Sequence, residues 1–152
     1  MKTIIESQMI FEFEENQVFC IESSRLQRSV GDGIKTVEFI LNRKENLLEF
    51  IEAKSSSPRP TQENNERFET FINDIADKFI HSFNLYYSAM HGRYESEEIA
   101  QPFFEIEPHK VNYRFILIIK GHLIEWLLPL QETLHRKLQY HITIWKSDVI
   151  LM

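Results

Sequence analysis

Cysteine is almost missing from these 152 residues: Cys20 stands alone. No disulfide can close within the chain, and a lone cysteine in an apolar, strand-like run suits a reducing cytosol. A cytoplasmic location is therefore expected. The six histidines are scattered singly, so no zinc-type Cys/His spacing appears. No apolar run approaches the about 20 residues of a membrane span. The opening MKTIIESQMIFEFEENQ has acids throughout and no small-residue cleavage site, unlike a secretory leader. Glycine is scarce, four in all, and neither a glycine-rich phosphate loop nor a dinucleotide fingerprint is present. Positive charge is in deficit: 17 Lys and Arg against 23 Asp and Glu, a net charge of −6. That balance weighs against a broad, non-specific grip on phosphate backbones. It leaves room for a local basic groove.

What the chain does have is apolar bulk. With 43% hydrophobic residues and 12 phenylalanines it reads as a globular domain spanning 1–152 and able to bury a core. QMIFEFEENQVFCIES reads as two strands around a turn at Glu14 to Asn16. RSVGDGIK holds two glycines and marks a loop. In KTVEFIL, Val37, Phe39 and Leu41 fall on one face and Thr36, Glu38 and Ile40 on the other. NRKEN is a turn and LLEFIEAK the next strand, so the N-terminal third is a β-meander. The polar linker SSSPRPTQENNE follows. From about Asn64 to Met90 apolar residues recur at helical spacing, with Phe68, Phe71, Ile72, Ile75, Phe79, Phe83 and Tyr86 in one broad stripe. That stripe is core packing. NYRFILIIKG is a central strand and HLIEWLLPLQETLHRKLQ a second helix, which starts near Leu128 or kinks at Pro129. HITIW and DVILM close the chain as short strands, or DVILM is a single closing strand. The fold class is α/β (α+β), a mixed central sheet with two main helices.

One hairpin carries chemistry. On a strand, residues i and i+2 share a face, so Glu52 and Lys54 point the same way. If a five-residue loop closes over Asn42 to Asn46, Glu38 lies opposite Phe50 and joins that face. A four-residue loop turns it to the other side. Two carboxylates close together repel, and near a core they are costly unless a cation joins them. Mg²⁺ takes carboxylate oxygens and keeps water ligands, and a lysine beside it can orient water or stabilise developing charge.

KTVEFIL followed by LLEFIEAKSSSP resembles the two-strand signature of the PD-(D/E)xK, restriction-endonuclease-like nuclease superfamily. That family places an acid on one strand and a (D/E)xK triplet on the next, in an αβββαβ core with a long helix after the triplet. The resemblance assigns Glu38 to the first acid, Glu52 to the triplet acid and Lys54 to the lysine. It implies Mg²⁺ or Mn²⁺ as cofactor and the phosphodiester bonds of DNA or RNA as substrate. Glutamate at the first place departs from the usual aspartate. The family often adds a glutamate from an N-terminal helix; this chain opens with strands, and Glu22 in CIESS is the stand-in. A chain with 19 glutamates and nine lysines produces roughly one E-x-K by chance, so strand context and the upstream acid carry the resemblance. The plainer reading makes Glu52 and Lys54 a strand end meeting solvent, a weak surface pair. An alternative function keeps the fold without catalysis, as a protein-interaction or regulatory module with a protein partner or as a homodimer.

Other residues weigh less. Lys120, His122 and Glu125 sit at a strand-to-helix junction, where ligands and anions bind in some α/β sheets; helix capping is the better account of the histidine and the glutamate. His91 and Arg93 follow the long helix, where cations next to a glycine are ordinary capping chemistry. Trp126 and Trp145 read as core or half-buried anchors.

Overall fold

The apolar runs of the N-terminal third do form strands, but they divide between two sheets. In the computed structural model, which describes every residue except Glu45, Gln62 and Asn64, Lys2–Glu6 (β1) and Met9–Phe13 (β2) pair antiparallel as a hairpin. Its turn residues Ser7 and Gln8 have φ of 48° and 64°. Positive φ at both positions is the type I′ geometry that matches strand twist. The expected meander is corrected here. MKTIIE supplies a strand that was not anticipated, and β2 does not pair with the strand that follows the Glu15–Gln17 turn.

The second sheet contains Val18–Phe19 (β3), Phe39–Arg43 (β4), Leu47–Lys54 (β5), Asn112–Ile119 (β6) and Asp148–Leu151 (β7), in that order. β3, β4 and β5 are antiparallel neighbours, whereas β5, β6 and β7 run parallel. The sheet is mixed, as expected. A parallel pair needs a long crossover, and between β5 and β6 it is the helix Asn65–Met90 (α2). Asn64, expected at its start, Glu45 in the NRKEN turn and Gln62 in the polar linker lie outside the described residues.

The helical stripe is buried as its period requires. Ile72, Ile75, Phe79, Phe83 and Tyr86 pack on Leu48, Phe50, Phe115 and Leu117 of the sheet. Phe79 stacks on Phe115 at 4.8 Å between centroids. The opposite sheet face, with Phe39, Leu41, Ile51 and Ile116, is covered by the hairpin through Ile4, Phe11 and Phe13. The sheet is thus a middle layer, and each fully buried large side chain contributes about 1.5–3 kcal/mol of burial.

The C-terminal third differs from expectation in one element. Ile124–Lys137 (α4) runs through Pro129, which sits in its second turn and removes one backbone donor. HITIW is not a strand but part of the helix Gln139–Trp145 (α5). Leu138 and His141 are buried and Ile142 half-buried, with Trp145 in the same aromatic cluster. That i, i+3, i+4, i+7 spacing overrides the β-branched composition of the segment. Two short helices, Arg25–Ser29 (α1) and Gln101–Phe104 (α3), were also unanticipated. Among the described residues no helix is long and apolar enough to cross a membrane.

Candidate metal centre

The β4–β5 register decides which side Glu38 takes. Phe39 pairs with Ile51 and Ile40 with Phe50, so the partner expected for Glu38, Phe50, belongs to Ile40. The connection between Arg43 and Leu47 covers residues 44–46, three residues where five were expected. Both numbers are odd, so the slip is two residues along β5 and the face is unchanged. Glu38 comes to lie beside Glu52, close enough for the two charges to repel. Glu38 itself precedes β4 by one residue, and its amide donates to the Ile51 carbonyl at 3.1 Å.

Glu52 is fully buried. It shares its sheet face with Leu48 and Phe50, both packed under the helices. From α2, Lys78 Nζ donates to Glu52 Oε2 at 2.7 Å, and Lys54 Nζ lies 3.5 Å from the same oxygen. Glu52 Oε1 is buried without a hydrogen-bond partner. Burial pushes the Glu52 carboxyl up, against the hydrogen bond and charge of Lys78 and the charge of Lys54. Burial is the largest influence on Lys78 and would lower it, but the bond to Glu52 together with the charges of Glu52, Asp74 and Glu22 raises it, which keeps the ammonium charged. With two cations on one oxygen, the ion pair is the form the geometry favours.

Glu38 adds a second buried, unpartnered oxygen, Oε2. Burial first, then a hydrogen bond with Glu22, then the Glu52 charge, push its carboxyl up to about 9. Glu22 was expected on a strand. It lies instead in the turn between β3 and α1, exposed, and still reaches the site. One oxygen each of Glu6, Glu22 and Glu38 lie within 4.8 Å of one another.

Of the four residues anticipated for the site, Glu22 and Glu38 fall in one carboxylate group with Glu6, and Glu52 and Lys54 form an ion pair beside it, outside that group, with the Glu52 charge felt at Glu38. Two further participants were missed. Lys78 had a legible signal: it falls in the same helical row as Ile75 and Ser82, both buried, so it is a charge at a core-facing phase. Glu6 follows Ile4 on the inward face of β1, which alternation alone could have marked.

A second buried glutamate on β5 provides the contrast. Glu49 is 3% exposed, and Arg43 Nε at 2.6 Å and Arg114 at 3.1 Å satisfy its two oxygens. Glu52 lacks such a partner on one side. Two carboxylate oxygens, Glu38 Oε2 and Glu52 Oε1, are buried and unpaired, and oxygens of this kind suit a hard divalent cation.

The remaining candidates lead elsewhere. Lys120 Nζ donates to the Gln8 carbonyl at 3.1 Å, and His122 Nδ1 lies 2.8 Å from the Ile119 carbonyl. Glu125 is in the first turn of α4, whose N-cap Leu123 makes no side-chain cap. The His91 amide donates to the Tyr87 carbonyl at 2.9 Å as α2 closes. Trp126 packs under the Arg59 guanidinium at 4.7 Å, and Trp145 is 48% exposed. No protein-family model matches this chain, and neither a characterised protein nor a solved structure is significantly similar to it.

Proposed function

We propose that the chain is a Mg²⁺- or Mn²⁺-dependent nuclease of the PD-(D/E)xK kind, hydrolysing phosphodiester bonds in DNA or RNA. The observation that carries this reading is the pair of buried, unpartnered carboxylate oxygens, Glu38 Oε2 just before β4 and Glu52 Oε1 on β5, with Lys54 Nζ 3.5 Å from the other Glu52 oxygen. The order of β3, β4, β5, α2 and β6 supports it, since apart from the short helices α1 and α3 between them it follows the βββαβ part of that family's core.

Glu38 and Glu52 would hold the ion, with Glu22 as a further ligand. Bound there, a divalent cation supplies charge stabilisation and a water of lowered pKa. The protein's own groups do the rest. Lys78 grips Oε2 of Glu52 and so fixes the carboxylate with Oε1 free. Lys54 is 30% exposed, which lets its ammonium contact a phosphoryl oxygen or orient the attacking water. The proton held at Glu38 must leave before that carboxylate can bind a cation.

A second reading, the same fold without catalysis as a protein-interaction or regulatory module, is favoured by the net charge of −6 and by exposed Glu22 over the site. Incubating the purified chain with plasmid and single-stranded substrates, with Mg²⁺ or Mn²⁺, separates the two. The nuclease reading expects metal-dependent cleavage, reduced about 10²–10³-fold in Lys54→Ala. Equal cleavage by both proteins, or none by either, removes the site.

A further inference from the structure

Positive charge gathers at the end of the sheet away from Lys54. A cavity of about 290 Å³ opens beside the start of β5, and its lining includes Lys44, Asn112, Tyr113, Arg114, Lys146 and Asp148. Three cations and one carboxylate meet there, an excess of two positive charges in a chain whose net charge is −6. β5 rises about 3.3 Å per residue from Leu47 to Lys54, so about 23 Å of strand separates this cavity from the metal centre. Each cation is delivered by a different element. Lys44 stands in the turn between β4 and β5, which is tied to β6 by the Asn112 amide donating to the Asn46 carbonyl at 2.8 Å. Arg114 comes from β6, opposite Asp148 of β7. Lys146 ends α5 with φ of 53° and ψ of 37°, a left-handed conformation that glycine or asparagine adopts with less strain. The backbone there favours glycine, yet the position carries an ammonium group.

We propose that this cavity is an anion site that takes one phosphate group, as the dianion, between Lys44, Arg114 and Lys146. The site goes beyond the nuclease reading and does not depend on it. Two observations carry it. Among the described residues neither Lys44 nor Lys146 makes an ion pair, and Asp148 makes none with them; like charges lining one cavity disfavour one another until a counter-ion joins them. Arg114, the half-buried member, gives only part of its fork to the protein. Its Nη1 donates to Glu49 at 3.1 Å, while its Nε is buried with no hydrogen-bond partner. A buried N–H without an acceptor is costly, and phosphate oxygens match the geometry of a guanidinium. Size narrows the ligand further. The cavity falls just below the about 300–1,000 Å³ of pockets that hold drug-sized molecules, which suits a single phosphoryl group and not the backbone of a duplex.

The test is a titration of the full, ¹⁵N-labelled chain with inorganic phosphate, read from amide chemical shifts. Wild type is compared with Lys44→Gln, Lys146→Gln, the two combined, and Lys54→Ala, with sodium chloride at matched ionic strength as the control. Both cavity lysines are exposed, so the fold is expected to survive their replacement, and unchanged shifts elsewhere in the sheet check this. Saturating shifts are expected at residues 112–114 and 146–148 in the wild type and in Lys54→Ala. Each single glutamine variant should weaken binding, and the combined variant should weaken it about tenfold or more, the loss of charged hydrogen-bond donors. No saturating shift in the wild type overturns the site, as does equal affinity in the combined variant or the same shifts with chloride. Binding lost in Lys54→Ala would place the phosphate at the metal centre and overturns it too. Phosphate binding here with no metal-dependent cleavage supports the anion site while removing the nuclease reading, so the two fall separately.

Discussion

Two glutamates of β5 are buried three positions apart on opposite faces, and only Glu49 has both oxygens satisfied. Glu52 depends on Lys78 and Lys54 at one oxygen. Lys78→Met would strip the shorter of those contacts and leave a buried charge half paired, at a cost of about 3 kcal/mol in urea denaturation. A cost within experimental error would mean that Lys54 alone neutralises Glu52. Glu38 makes a prediction about pH. Its folded-state pKa of about 9 lies above the ordinary 4.5, so the folded chain keeps a proton that the unfolded chain releases. The resulting stabilisation is complete below about pH 4.5 and is lost as pH rises through about 9. Without metal, Tm should fall across that window, and Glu38→Gln should flatten the slope; the same slope in the variant contradicts the assignment. Cation affinity should run the opposite way, rising with pH, because the ion takes the deprotonated carboxylate.

At the scale of elements, what could be read in advance was what local periodicity determines. The stripe of α2 and the apolar runs of β5 and β6 stood out because each repeats over many residues. Phe79→Ala tests that core. Its ring is fully buried and stacked on Phe115 at 4.8 Å, and truncation should cost about 3–5 kcal/mol by chemical denaturation. A loss under about 1 kcal/mol would mean that α2 is not packed as described. Short elements were misread for physical reasons. HITIW has strand-like composition, yet burial of Leu138 and His141 holds it helical. The β1–β2 turn uses Ser7 and Gln8 at positive φ, where asparagine or glycine would have announced a hairpin.

For the whole molecule, the site was legible where it depends on one hairpin and hidden where it depends on packing between distant segments. Strand parity puts Glu52 and Lys54 on one face, whereas Glu38 joins that face only through the observed register. Lys78 and Glu6 reach the site only because α2 covers one sheet face and the N-terminal hairpin the other. The net charge of −6 bears on substrate binding. Lys78 is held by Glu52, which leaves Lys54 and Lys120 as cations this end of the sheet can turn to phosphate, so few phosphates are neutralised. The slope of log affinity for duplex DNA against log salt should be no steeper than about −2, measured by fluorescence anisotropy. A much steeper slope would require a basic surface elsewhere on the chain.

The central claim is that Glu38 and Glu52 share one divalent cation. Anomalous scattering from crystals grown with Mn²⁺ tests it most directly. The account predicts a peak at bonding distance, about 2.0–2.2 Å, from an oxygen of both Glu38 and Glu52. A structure with Mn²⁺ in the lattice and no peak between those two carboxylates would contradict it.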